Sequence, residues 1–342
     1  MKTFAPALLT LLIACRAEPK PEAKAPDTTA PVAAEVTPTA PADVAPVADT
    51  TPSPDTAPSP DAAPPEVDRS PRLLDGPGTP PHKVLAYSAA QGFEQRLPMR
   101  MTLGVKTEVD GQPLSPELPP TTLTLFAKVD KRSEKGLDLS VSALETRVEG
   151  EPTTPAGKRL AEVIARLAGL KGQKSIDPGG RHLALTFTRP TDLPAGIAPV
   201  LEGFEQALDH MLVPFPKEAI GVGARWETEE SVTQANVRLL QKTTFTLEAI
   251  EGSKLTLAMA ISLSPTTPTL PQKTALPGGL EATLDAVEGR GEGKLVVDLA
   301  ALWPTSVSVK NRIALELSLA DGDKTRKLKV EMNLDLAHLE TP

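Results

Sequence analysis

Arg96-Leu97-Pro98-Met99-Arg100-Met101-Thr102-Leu103-Gly104-Val105-Lys106 places an apolar side chain at every odd position, with polar or small residues between them. Alternation with a period of two puts all the apolar groups on one face of an extended chain, the mark of a strand with one buried side. The pattern spreads in both directions. After a turn at Asp110-Gly111-Gln112-Pro113 it resumes at Leu123, Leu125, Ala127 and Val129, then at Leu137, Leu139, Val141 and Ala143. Further along, Phe245, Leu247 and Ala249 precede a Glu251-Gly252-Ser253 turn, followed by Leu255, Leu257, Met259, Ile261 and Leu263. A last pair sets Val307, Val309, Ile313, Leu315, Leu317 and Leu319 against Leu328, Val330, Met332, Leu334 and Leu336, across Asp321-Gly322-Asp323. Connections this short join antiparallel neighbours.

Two segments in mid-chain change period. Leu160, Val163, Ile164, Leu167 and Leu170 recur at helical spacing behind Thr154 and Pro155, which suit an N-cap and first helical position. Ile197, Val200, Leu201, Phe204, Leu208, Met211 and Leu212 form a second such stripe, closed by Pro214-Phe215-Pro216. Between them, Asp177-Pro178-Gly179-Gly180 turns into a strand bearing Leu183, Leu185 and Phe187. An antiparallel sheet with one apolar face must cover it. The expected fold is therefore α+β: a long, curved, half-barrel-like antiparallel sheet wrapped around two amphipathic helices. Gly289, Gly291 and Gly293 precede a strand, not a helix, and their spacing is wrong for a dinucleotide fingerprint. Their expected role is to bend a long strand.

This domain occupies residues 81–342. Residues 15–80 are different in kind. Positions 16–80 hold 16 Pro and 13 Ala, no aromatic residue, and 11 acidic against 5 basic side chains. Such a tract cannot bury enough apolar surface to offset its ordering entropy, so it reads as a disordered tether. The remaining 262 residues carry 33 acidic and 30 basic groups, a near balance that argues against a nucleic-acid partner.

The first 14 residues read as a signal peptide: Lys2 followed by an apolar run from Phe4 to Ala14, too short to span a bilayer. Leu12-Ile13-Ala14-Cys15 resembles the bacterial lipobox, which implies acylation of Cys15, the only cysteine of the chain. Several acyl chains anchor a soluble domain firmly, so the membrane becomes a partner through the N-terminal lipid. Arg16 stands where Asp favours inner-membrane retention in enteric bacteria, and this resemblance implies a lipid-anchored location in the envelope, at the outer membrane.

A signal, a tether and an open sheet around helices are together similar to the LolA/LppX-like lipoprotein and lipid carriers. More locally, Pro214-Phe215-Pro216 through Ile220-Gly221-Val222-Gly223-Ala224-Arg225-Trp226 resembles an uncharacterised bacterial lipoprotein family, in which a Pro-rich turn leads through Val-Gly-x-x-Trp into a strand. Gly289-x-Gly291-x-Gly293 followed by Val297-Asp298-Leu299 fits the same layout. The resemblance assigns no functional residues. On their own chemistry, Gly221 and Gly223 permit a bulge or positive φ, and Trp226 fills the adjacent corner or gates a cleft.

Motifs of catalysis are missing from the sequence. His82, His182, His210 and His338 stand far apart, and neither a nucleophile elbow nor a phosphate loop occurs. No catalytic residue, metal ligand or cofactor is assigned, and an enzyme is not expected. Two functions remain. The first is a non-enzymatic structural or interaction role in the envelope, with an envelope protein as partner and a packed core. The alternative is a module that carries lipid or another hydrophobic ligand in a cleft lined by Leu123, Leu125, Leu257, Met259, Ile261 and Trp226.

Overall fold

A computed structural model describes residues 70–339 apart from 115–117, 189–203, 206–207, 209–210, 235–236, 267–270, 277–279 and 322–323. Its elements are β1 (Arg72–Leu73), β2 (Thr79–Lys83), β3 (Glu94–Val109), β4 (Gln112–Leu114), β5 (Thr121–Ser133), β6 (Gly136–Val148), α1 (Pro155–Leu167), β7 (Lys171–Ile176) and β8 (His182–Thr188). The second half adds β9 (Ile220–Val222), β10 (Arg225–Gln234), β11 (Val237–Glu251), β12 (Lys254–Pro265), β13 (Gln272–Leu276), β14 (Leu280–Asp298), β15 (Ser306–Asp321) and β16 (Lys324–His338). Cys15 and nearly all of the tether lie outside the described residues, although β1 and part of β2 fall within 15–80 and β1 pairs with β10.

Fourteen strands form one antiparallel sheet in the order β1-β10-β11-β12-β14-β15-β16-β3-β5-β6-β7-β8, with β13 on β14 and β4 on β3; β2 and β9 pair separately. The alternation seen in the sequence fixes the pleat. In β3 the odd positions from Leu97 to Val105 are buried while Arg100 and Lys106 are exposed. The β3–β4 turn uses Asp110 at φ 50° and Gly111 at φ 81°, positive values that suit a two-residue hairpin.

The α+β expectation is overturned. The described residues are mainly β, with α1 as their single helix element. The first stripe forms that helix: Thr154 accepts a hydrogen bond from Gly157 N at 3.0 Å, Pro155 opens the first turn, and Leu160, Val163, Ile164 and Leu167 are buried. Of the second stripe, Ile197, Val200 and Leu201 lie outside the described residues. Phe204, Glu205 and Leu208 have helical backbone, and Met211 and Leu212 sit in a bend. At one end of the sheet, connecting segments pack against strand residues.

At that end Tyr87, Phe215, Trp226 and Phe245 form a ladder with centroid separations of 5.6, 6.0 and 5.5 Å. Such ring pairs add about 0.5–1.5 kcal/mol each beyond their burial. The ladder ties the segment before β3 to β10 and β11. Beside it, Gln95 Oε1 accepts from Leu302 N at 2.9 Å and Trp303 N at 2.8 Å, and its amide donates to Trp303 O at 3.0 Å. One side chain thus satisfies three backbone groups of the β14–β15 connection. The sheet also curls back on itself: Arg181, in the β7–β8 turn, donates to Ser70 Oγ at 3.1 Å, next to β1 at the opposite end of the strand order.

Candidate functional site

Strand register aligns the inward side chains of β10, β11, β12, β14, β15, β16 and β3 in rows. The first row is Trp226, Phe245, Met259, Gly293, Val309, Leu336 and Met101. It is apolar throughout. The next is Thr228, Thr243, Ile261, Gly291, Asn311, Leu334 and Leu103, and the one after it Glu230, Gln241, Leu263, Gly289, Ile313, Met332 and Val105. One row further, Val232 and Leu239 face each other across β10 and β11, while Val287, Leu315 and Val330 align on β14, β15 and β16. Polar side chains thus enter the inner wall in two neighbouring rows, at Thr228, Glu230, Gln241 and Thr243 on β10 and β11 and at Asn311 on β15, and the other members of those rows are apolar or glycine.

Four side chains of this polar belt are buried: Glu230, Gln241, Thr243 and Asn311. Gln241 Nε2 donates to Glu230 Oε1 at 3.2 Å. Asn311 is 4 % exposed, and among the described residues neither its Oδ1 nor its Nδ2 has a hydrogen-bond partner. Its lateral neighbours are Gly291 and Leu334, and its strand neighbours on the same face are Val309 and Ile313. The ladder uses the backbone groups on either side, so the amide has nothing nearby to bond. A buried amide left in that state costs about 1–3 kcal/mol.

The three glycines of β14 lie on the inner face within the belt and beside it. A Cβ at Gly289 would stand 2.5 Å from Leu263 Cδ1, one at Gly291 3.1 Å from Asn311 Oδ1, and one at Gly293 2.8 Å from Ser308 O. Their bare backbone lets the flanking strands fold over β14, which is how they curve the sheet.

The residues proposed from sequence as a cleft are spread along the inner face of the sheet. Trp226 and Met259 share a row, Ile261 lies in the next, and Leu257 pairs with Leu247 and Leu295 on the apolar side of them. Leu123 and Leu125 are on β5, five strands further along the order. All six are buried. Leu123, with Met99, Met101, Ile164 and Leu167, lines a cavity of about 20 Å³ under α1, enough for a single water. Trp226 is packed between Phe215 and Phe245 and donates Nε1–H to Pro214 O at 2.9 Å, which makes it a corner and not a gate. Gly223 has φ +88°, and a Cβ on Gly221 would collide with the Thr79 carbonyl, so both glycines serve the backbone there.

The belt was legible in principle. Asn311 falls at the inward parity of Val307, Val309 and Ile313, and Gln241 and Thr243 at that of Phe245 and Leu247. A polar residue at an inward position is the signal, and alternation read only through its apolar members passes over it.

On the opposite face of β11, β12, β14 and β15 lies a hollow of about 590 Å³, floored by Thr244, Thr246, Ala258, Ala260 and Ser308 and rimmed by Arg225, Glu292, Lys294 and Lys310. Arg225 pairs with Asp75 at 2.6 Å and Lys294 with Glu248 at 3.2 Å. No group of three or more His, Cys, Asp or Glu among the described residues could hold a metal ion, and no described helix is long and apolar enough to cross a membrane.

Residues 201–304 match a family of unknown function, DUF6263. The match covers β9 to β14, hence both quoted glycine motifs, Trp226, and the β10–β14 half of the polar belt. Comparison with curated proteins gives no match.

Proposed function

We propose that the protein is a lipid-anchored envelope protein, held at the outer membrane through Cys15, whose sheet interior receives a hydrophobic ligand that carries a polar group. The observation behind this reading is the polar belt: four buried polar side chains and the bare backbone of Gly289 and Gly291 interrupt a largely apolar wall. A wall built only to pack would place branched aliphatic residues at those positions, since each buried polar group must be matched to avoid a penalty. Binding requires no catalytic step. The test is solvent extraction of the purified full-length protein followed by mass spectrometry, with lipid expected at about one molecule per chain beyond the covalent anchor. Protein that yields none and takes up no hydrophobic dye would remove the reading.

A second reading, a structural or interaction role, is favoured by the water-sized cavity under α1, which shows tight packing there, and by the outer hollow. The hollow would accept a polar segment of an envelope protein. Lys310→Glu, on its rim, would then abolish a cross-link to that protein while leaving extractable lipid unchanged.

A further inference from the structure

Asn311 sits where the fold gives its amide nothing to bond, and the groups around it restrict what could. We infer that Asn311 is the polar contact for an uncharged amphiphile: an acyl chain ending in an ester, amide or hydroxyl group. This rests on the hydrophobic-ligand reading above and specifies the chemistry of that ligand.

Three observations lead there. The amide is 4 % exposed and offers one acceptor and two donor hydrogens, all unmatched among the described residues. Its neighbours Val309, Ile313, Leu334 and Gly291 contribute no polar side chain, so the body of a guest lying against them is apolar. The belt's one ionisable group is an acid, Glu230, with its carboxylate bonded by Gln241. Among the described residues no buried cation is on the strands that carry the belt, and an acidic group there disfavours a carboxylate or phosphate head. The inward buried cation of the described residues, Lys174, is on β7, five strands away along the order, and donates Nζ–H to Leu208 O at 3.1 Å. A neutral carbonyl or hydroxyl satisfies the amide without bringing an unpaired charge into the interior.

The experiment titrates full-length protein, in non-ionic detergent with micelle partition subtracted, with three fluorescent probes: a monoacylglycerol, the fatty acid of the same chain, and a matched alkane. Wild-type protein is expected to bind the monoacylglycerol at least tenfold more tightly than the ionised fatty acid. Asn311→Leu should lose about tenfold in monoacylglycerol affinity and keep its alkane affinity, whereas Asn311→Ser, which retains a hydroxyl, should recover part of the loss. The thermal midpoint of Asn311→Leu should not fall, because the variant removes an unmatched buried amide. Equal monoacylglycerol affinity in wild type and Asn311→Leu would overturn the inference and leave the hydrophobic-ligand reading standing; this is also the outcome if the amide merely holds an ordered water. Fatty acid bound as tightly as monoacylglycerol would overturn the choice of an uncharged head. Failure of all three probes to bind wild type would overturn both readings.

Discussion

The Tyr87 hydroxyl and the Val213 backbone exchange two hydrogen bonds: the phenol donates to Val213 O at 3.2 Å and accepts from Val213 N at 3.1 Å. Burial pushes this phenol far above the usual tyrosine range, against a smaller opposing pull from the Val213 bond, so it stays protonated and keeps donating at any working pH. Tyr87 is thus a clasp between the segment leading into β3 and the chain before β9, at the start of the aromatic ladder that ends in Phe245. Gly180 belongs to the same joint: its φ is +84°, and the space a Cβ would need is taken by the Tyr87 ring and by Val213 O, 2.8 Å away.

Tyr87→Phe keeps the ring but leaves a buried N–H and a buried C=O unmatched. A loss of about 2–4 kcal/mol in unfolding free energy follows from two such groups, measurable by urea denaturation. A loss below about 0.5 kcal/mol would mean that water replaces the hydroxyl and that the clasp is not closed to solvent.

Gly293→Ala and Gly104→Ala separate a glycine needed for close approach from one that is merely present. At Gly293 the new methyl meets a backbone carbonyl and Val309 Cγ2, both at 2.8 Å, whereas at Gly104 the nearest atom is Asn333 Cβ at 3.9 Å. The first substitution should cost about 1–3 kcal/mol through overpacking. The second should be neutral or gain up to about 1 kcal/mol by restricting the unfolded chain. Equal stability of the two variants would show that the sheet does not depend on bare backbone at β14.

Gln95→Leu tests the other joint at this end of the sheet. It removes three hydrogen bonds to Leu302 and Trp303 at once, and about 2–3 kcal/mol should be lost. The chain has two Trp, so in a Trp226→Phe background the emission reports Trp303 alone. A red shift on adding Gln95→Leu, before any global unfolding, is the expected local signature. Emission that stays unshifted would place the support of Trp303 elsewhere.

The sheet was readable because its signal is repetitive: one parity error in β3 or β16 would have put a whole apolar row into water, so the alternation is strict. The first helix was readable for a local reason, Thr154 and Pro155 ahead of a regular stripe. Of the second stripe, Phe204 and Leu208 are helical and buried, Met211 and Leu212 are buried in a bend ahead of Pro214, and Ile197, Val200 and Leu201 lie outside the described residues. The candidate site carries a weaker signal. Leu257, Met259 and Ile261 are apolar and inward, which holds for most of the wall. What distinguishes the belt is its exceptions, and these become a site only when the register sets Glu230 beside Gln241 and Asn311 beside Gly291. Pairings between β10 and β11, or β14 and β15, are long-range facts that no short window contains.

Asp285 gives the fold a definite acid response. It sits at the bulge where the β14–β15 register shifts between Leu284 and Ala286, and its Oδ2 accepts from Ser318 Oγ at 2.5 Å and Lys327 Nζ at 3.0 Å. The Ser318 hydrogen bond holds this carboxyl below the ordinary aspartate range against the upward push from burial, and Lys327 adds to the downward pull. A depressed folded value means the carboxylate stabilises the fold above the unfolded value of about 3.9, and that this contribution is lost as pH falls through the lower, folded value. Asp285→Asn should therefore be less stable than wild type by about 1 kcal/mol from pH 5 to 8. The gap should narrow below about pH 4 and close in stronger acid, as the wild-type carboxyl becomes neutral too. Unfolding curves at pH 7 and pH 2.5 decide the matter: a gap of the same size at both would show that Asp285 acts through its shape in the bulge and not through its charge.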